Sequence, residues 1–151
     1  MTDPQDRAQV LDLLARFAHG IDGRDWALYR SVFADDVDVD YPSYRPGSVG
    51  RTTADAWVER GRRLFPGLDA TQHLLANAWL QRDAGEVVVR TSMRADHFLD
   101  GARYTLGGSY EHRVRRGDDG ERVIAGVTLT VTWREGDEGM LAVAAARVAS
   151  A

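Results

Sequence analysis

The 151-residue chain has no cysteine, which removes disulfide staples, thiolate nucleophiles and cysteine-ligated zinc together. Nowhere does a run approach the ~18 apolar residues of a membrane span, and the N-terminus lacks both a basic n-region and an apolar h-region. The expected location is therefore the cytoplasm. Clustered positive charge is missing too. With a net charge of −4, nucleic acids and anionic membranes are poor partners, and a small molecule or another protein is the better one. There is no His-Glu-x-x-His or His-x-His pair, and the run Asp35, Asp36, Asp38, Asp40 lacks the glycine and glutamate of a calcium loop. Neither Gly47 nor Gly107-Gly108 sits in a phosphate or dinucleotide fingerprint. No metal and no cofactor are expected.

What remains is an ordinary globular composition, 44% hydrophobic and 28% charged, in a length that suits one domain over residues 1–151. Asp3-Pro4 with Asp6 reads as a helix start, and Val10, Leu13, Leu14, Phe17 and Ile21 recur at helical spacing before Gly20 and Gly23. Asp25 caps a second, short helix. Val37, Val39 and Tyr41 then alternate with acids as a half-buried strand does, ended by Pro42 and Pro46. A third helix is predicted over 53–65. Alternating segments at 72–82, 86–99, 103–115 and 122–134, separated by glycine-containing turns, predict an antiparallel meander. Helices first and strands afterwards make an α+β domain with its helices on one face of a curved sheet. The tail 137–151 is a short closing helix or a frayed end.

A two-residue period then assigns faces. His97 shares a face with Val87, Val89, Met93, Ala95 and Leu99 and points inward, and His73 shares one with Leu75, Asn77 and Trp79. In 103–115 the set Tyr104, Leu106, Tyr110, Val114 is more apolar than the set Thr105, Gly107, Ser109, Glu111. Taking the second set as pocket lining leaves an apolar outer face, which predicts a homo-oligomer. His19 and His112 fall on faces read as exposed or interfacial. The candidates for chemistry are Asp22, His73 and His97, with Tyr41, Tyr44, Asn77, Ser109 and Glu111 around the substrate. A carboxylate beside a histidine fixes its tautomer and stabilises the imidazolium, which makes a better base near neutral pH. Asp22 with His73 or His97 fits that role.

The stretches "ARFAHGIDGRDWALYRSVFADDVDVDY", "TQHLLAN", "GGSYEHRVRRGDDG" and "ERVIAGVTLTVTW" resemble the SnoaL-like branch of the nuclear transport factor 2-like superfamily, nearest its scytalone dehydratase and hexachlorocyclohexane dehydrochlorinase group. The resemblance implies a cone-shaped α+β barrel, an enclosed pocket without metal or organic cofactor, and dimers or trimers. It matches Asp22 to the acid and His73 to the histidine base of the family's pair, and His97 to a second pocket histidine. Tyr41 matches a tyrosine that polarises the substrate carbonyl through water, and Ser109 a pocket position. Ile21 replaces a tyrosine of the dehydratase and Glu111 an asparagine, so a different substrate is expected, with Glu111 as an acid or an ion-pair partner. The implied function is a cofactor-free dehydratase acting on a small hydrophobic carbonyl compound, such as an aromatic polyketide. A polyketide aldol cyclase or ketosteroid-type isomerase would begin with the same proton abstraction, and a non-catalytic binding or dimerisation module is the alternative of another class.

Overall fold

A computed structural model describes residues 3–41 and 50–151, so Tyr44, Gly47, Pro42 and Pro46 lie outside the described residues. The elements are α1 (Pro4–Asp22), α2 (Trp26–Ser31), β1 (Phe33–Asp40), β2 (Gly50–Thr53), α3 (Ala54–Arg62), a 3-10 turn (Phe65–Gly67), β3 (Ala70–Asp83), β4 (Glu86–Leu99), β5 (Ala102–Arg116), β6 (Arg122–Glu135) and α4 (Met140–Ser150). Start signals hold α2 and α3: the Asp25 carboxylate accepts from Leu28 N–H at 2.9 Å, and the Thr53 hydroxyl from Ala56 N–H at 3.1 Å. The C-terminal tail is a helix.

The strands form one curved, six-stranded sheet in the order β2-β1-β6-β5-β4-β3. β3 to β6 are the antiparallel meander that the turns predict. β1, however, lies parallel to β6, and β2 pairs antiparallel on its other side, so the sheet is mixed and stays unclosed with β2 and β3 as edges. Its inner face packs on α1, whose Val10, Leu13, Leu14, Phe17 and Ile21 are all buried as their spacing requires. Phe17 is central, with ring centroids of Tyr29, Tyr110 and His112 at 5.5, 5.5 and 5.0 Å. Burying one such side chain contributes about 2 kcal/mol.

One local reading changes and another is extended. Gly20 does not end α1 but lies inside it, where any Cβ would come within 2.8 Å of the Tyr29 backbone. It permits α2 to fold back closely. Asp6, read as a first-turn acid, is buried under arginines: it is ion-paired with Arg122 and accepts from Arg82 at 2.9 Å, tying α1 to β6 and β3.

Face assignments hold along β4 and shift elsewhere. On β3 the register slips between Ala76 and Trp79, where Asn77 has φ of 55°, so the alternation changes phase and Asn77 and Trp79 are exposed. Along β5 the expectation is reversed. Tyr104, Leu106, Tyr110 and Val114 are buried beneath the helices, while Ser109 and Glu111 lie on the outer face. His112 follows Tyr110 inward and is wholly buried, not exposed or interfacial. On β6, slips opposite Arg113/Val114 and Gly107/Gly108 bring Ile124 inward and lay the Trp133 ring across Gly107.

Candidate active site

Between α1, α3, α4 and the sheet lies a cavity of about 710 Å³. Its walls include Ile21, Tyr29, Tyr41, Trp57, Phe65, His73, His97, Leu106, Tyr110 and Leu129, with Leu141, Ala142 and Ala145 of α4 forming one side. That volume is within the usual range for a small-molecule site.

Asp22 is the last residue of α1, at the helix end where unpaired carbonyls disfavour a carboxylate. Its position is explained by what it binds across the gap to β3. One carboxylate oxygen, Oδ1, lies 2.7 Å from His73 Nδ1 and accepts from the Thr71 hydroxyl at 3.0 Å; Oδ2 accepts from the His73 backbone N–H at 2.7 Å. Behind this pair, Arg24 Nη1 donates to Thr71 Oγ1 at 2.8 Å and to the Ile21 carbonyl at 2.9 Å. Because Arg24 can only donate, the Thr71 hydroxyl must turn its proton toward Asp22. Burial alone would raise the Asp22 carboxyl; the His73 and Thr71 bonds outweigh it and hold the group below its ordinary value. An ionised Asp22 assigns the His73 proton to Nδ1 and leaves Nε2 as the basic nitrogen available to a ligand.

His97 stands beside this pair, its ring centroid 6.0 Å from that of His73, with Phe65 packed against both at 6.4 and 6.0 Å. Its Nδ1 lies 3.2 Å from the Tyr104 carbonyl, so this nitrogen carries the proton and donates. Burial, aided by repulsion from His73, pushes His97 down to about 4, so it is a neutral imidazole at physiological pH. It is His73, and not His97, that pairs with Asp22.

The remaining predicted residues divide. Tyr41 lines the cavity, its ring 5.3 Å from Trp57 and 6.5 Å from Tyr110. Asn77, Ser109 and Glu111 do not reach it. They share the outer face, where Asn77 donates to Ser92 at 3.2 Å and Glu111 accepts from Arg90 at 2.7 Å. Glu111 is thus an ion-pair partner, but of an arginine on the opposite side of the sheet from the histidines. Residues that sequence reasoning missed include Thr71 and Arg24, and the Trp57 indole, which donates to the buried Tyr29 hydroxyl at 3.1 Å. The signal for Thr71 was present, since it precedes His73 by two and so faces the same way. Among the described residues no group of three or more His, Asp or Glu side chains is arranged to hold a metal ion, and no helix is long and apolar enough to cross a membrane.

The sequence profile of the SnoaL-like domain matches residues 3–137. The chain belongs to this family. No curated protein sequence matches it. Among solved structures, the SnoaL-like chain is similar to the Kfla4162 protein of Kribbella flavida, at 25% identity and a TM-score of 0.82 over 91% of this chain and 97% of that one. It is similar also to a Novosphingobium aromaticivorans protein provisionally named a scytalone dehydratase (18% identity, TM-score 0.75, 87% of each chain). A third is the hexachlorocyclohexane dehydrochlorinase LinA-type3 of Novosphingobium barchaimii (17% identity, TM-score 0.73, 88% of this chain and 90% of that one). The last two likenesses speak to the fold, the cone-like α+β sheet of the SnoaL-like and scytalone dehydratase-like proteins.

Proposed function

We propose that the protein is a lyase or isomerase working on a small carbonyl compound without a cofactor, and that its reaction is elimination of water from a β-hydroxy ketone. The observation that carries this is the Asp22–His73 pair at 2.7 Å on the wall of a largely apolar cavity. His73 Nε2 takes the proton from the carbon α to the carbonyl, and Asp22 stabilises the imidazolium that results. Tyr41 holds the enolate oxygen. The electron pair of the broken C–H bond forms the new C=C bond as the β-hydroxyl leaves, and His73 returns the proton to that oxygen, giving enone and water. The similarity to a provisionally named dehydratase and to a dehydrochlorinase supports an elimination.

An acid for the departing water could be sought in the two other candidates, His97 and Glu111. Neither serves: His97 is neutral with its one N–H spent on the Tyr104 carbonyl, and Glu111 lies on the far face. In this reading His97 Nε2 accepts a hydrogen bond from the substrate hydroxyl and orients it. A single base that both takes and returns the proton also favours a second reading, an isomerase that delivers the proton to another carbon. The substrate class extends to aromatic polyketides, and a second copy of the chain is proposed over the outer sheet face, where Leu74, Trp79, Phe98 and Trp133 are exposed.

The test is turnover of a panel of β-hydroxy ketones, followed by enone absorbance, by wild type and by folded His73→Ala and Asp22→Asn variants. Both variants are expected to lose about 10²–10⁴-fold in kcat. Equal turnover by wild type and variants rejects the pair as the base. An α-deuterated substrate that loses its label to solvent without forming enone selects the isomerase.

A further inference from the structure

The cavity carries its charges unevenly. Besides the histidines, three lining side chains among the described residues are ionic: Arg60 and Arg63 at the C-terminal end of α3, and Glu138 just before α4. Two are already paired. Arg63 Nε lies 3.2 Å from Glu59, and Arg134 Nη1 lies 3.4 Å from Glu138. Arg60 has no carboxylate within ion-pair distance among the described residues; its partner is the Trp57 ring, whose centroid lies 5.3 Å from the guanidinium carbon. Arg24, which stands behind the Asp22–His73 pair, is engaged by Thr71 and the Ile21 carbonyl.

The helix dipole accounts for positive charge in the last turn of α3. It does not account for an arginine that both lines the cavity and lies against one of its walls. Contact with an indole face restricts the guanidinium while leaving its N–H edges able to form a forked bond to a carboxylate. The neighbouring walls are aromatic as well: Tyr29, Tyr41, Phe65 and Tyr110 present flat surfaces and edges rather than a polar lining. A flat apolar body with one anionic substituent suits this distribution, because the interior offers aromatic contact and the rim offers a cation without a counter-ion.

We infer that the cavity takes a planar aromatic carboxylate, with the carboxylate on Arg60 and the ring system among Trp57, Tyr41 and Tyr110, and that Arg60 sets this preference. The inference rests on the cavity being the substrate site, as in the reading above, and is independent of which reaction follows.

Calorimetric titration with 2-naphthoate and with its neutral methyl ester, in 150 mM salt, tests it. Wild type is expected to bind the acid about tenfold more tightly than the ester, the value of one charge-assisted bond at a solvent-facing rim. Arg60→Gln should remove that tenfold by weakening the acid alone, and Arg60→Lys should retain part of it. Arg60 is exposed, so these variants are expected to fold, which a thermal melt checks. Equal affinity for acid and ester in wild type, no binding of either at millimolar concentration, or equal weakening of both ligands in Arg60→Gln would overturn the inference. Because His73→Ala should keep the tenfold preference, a charge preference without β-hydroxy-ketone turnover would refute the reaction alone.

Discussion

Replacing His112 by leucine should stabilise the protein, and more so in acid. The ring is wholly buried, and among the described residues neither of its nitrogens has a hydrogen-bond partner. Leaving a buried polar atom unsatisfied costs about 1–3 kcal/mol, and substituting an apolar group of similar size removes that cost. Against this stand the ring contacts with Phe17 at 5.0 Å and Tyr110 at 5.1 Å. These are worth about 0.5–1.5 kcal/mol. A net gain of about 1 kcal/mol at pH 7.5 follows.

The pH dependence is the sharper part. Burial pushes His112 from 6.5 down to about 3, so between these values the unfolded chain binds a proton that the folded protein does not. Wild-type stability therefore falls as the pH drops below 6.5, and the leucine variant escapes this contribution. At about 1.4 kcal/mol per unit, the gap should widen by about 2 kcal/mol between pH 7.5 and pH 5.0. Urea unfolding of both proteins at the two pH values reads this as a change in midpoint at constant m. A variant no more stable than wild type, with a gap that does not move with pH, would show that the His112 nitrogens are satisfied and refute the reasoning.

Thr71→Val removes the hydroxyl that donates to Asp22 and accepts from Arg24. The Asp22 carboxyl should then titrate higher, seen in its ¹³C shift, and kcat should fall about tenfold; an unmoved Asp22 would mean the hydroxyl has no part in holding the pair. Asp6→Ala leaves the Arg122 guanidinium without its carboxylate. Asp6 is shielded by arginine side chains and not by depth in the core, so the expected cost is at the low end for a broken buried pair, about 2–3 kcal/mol by urea unfolding. Asp12→Ala, which breaks the exposed pair with Arg16, should cost no more than about 0.5 kcal/mol.

Much of the site was legible because its signals are local. Helical spacing placed α1, the acid at its end stood out between glycines, and a period of two put His73 and His97 on inward faces. The errors have two physical sources, and the first is that a strand's phase is a local property that a single extra residue reverses. Asn77 sits at such a slip, so it and Trp79 beyond it left the face of His73. In β5 the alternation itself held. Assigning the polar set inward contradicted the preference of Tyr104, Leu106 and Tyr110 for burial, and Ser109 and Glu111 followed the wrong face. His112 was misjudged with them. The parallel neighbour of β6 was not readable, since nothing near Phe33 in sequence announces a partner some ninety residues later.

That parallel seam governs the order in which the chain can fold. β3 to β6 join through short turns and can pair as each strand is completed, whereas β1, made early, has its flank on β6 open until residues 124–128 exist. Strand β2 hangs on β1, so two of the six strands await the last one. During synthesis the N-terminal third therefore leaves the ribosome with an apolar helix face and a strand edge unmatched, a period of exposure to chaperones and to other nascent chains. Shortening the β5–β6 turn would not shorten that interval; a permuted chain that begins at β3 and carries α1 to β2 at its C-terminal end would.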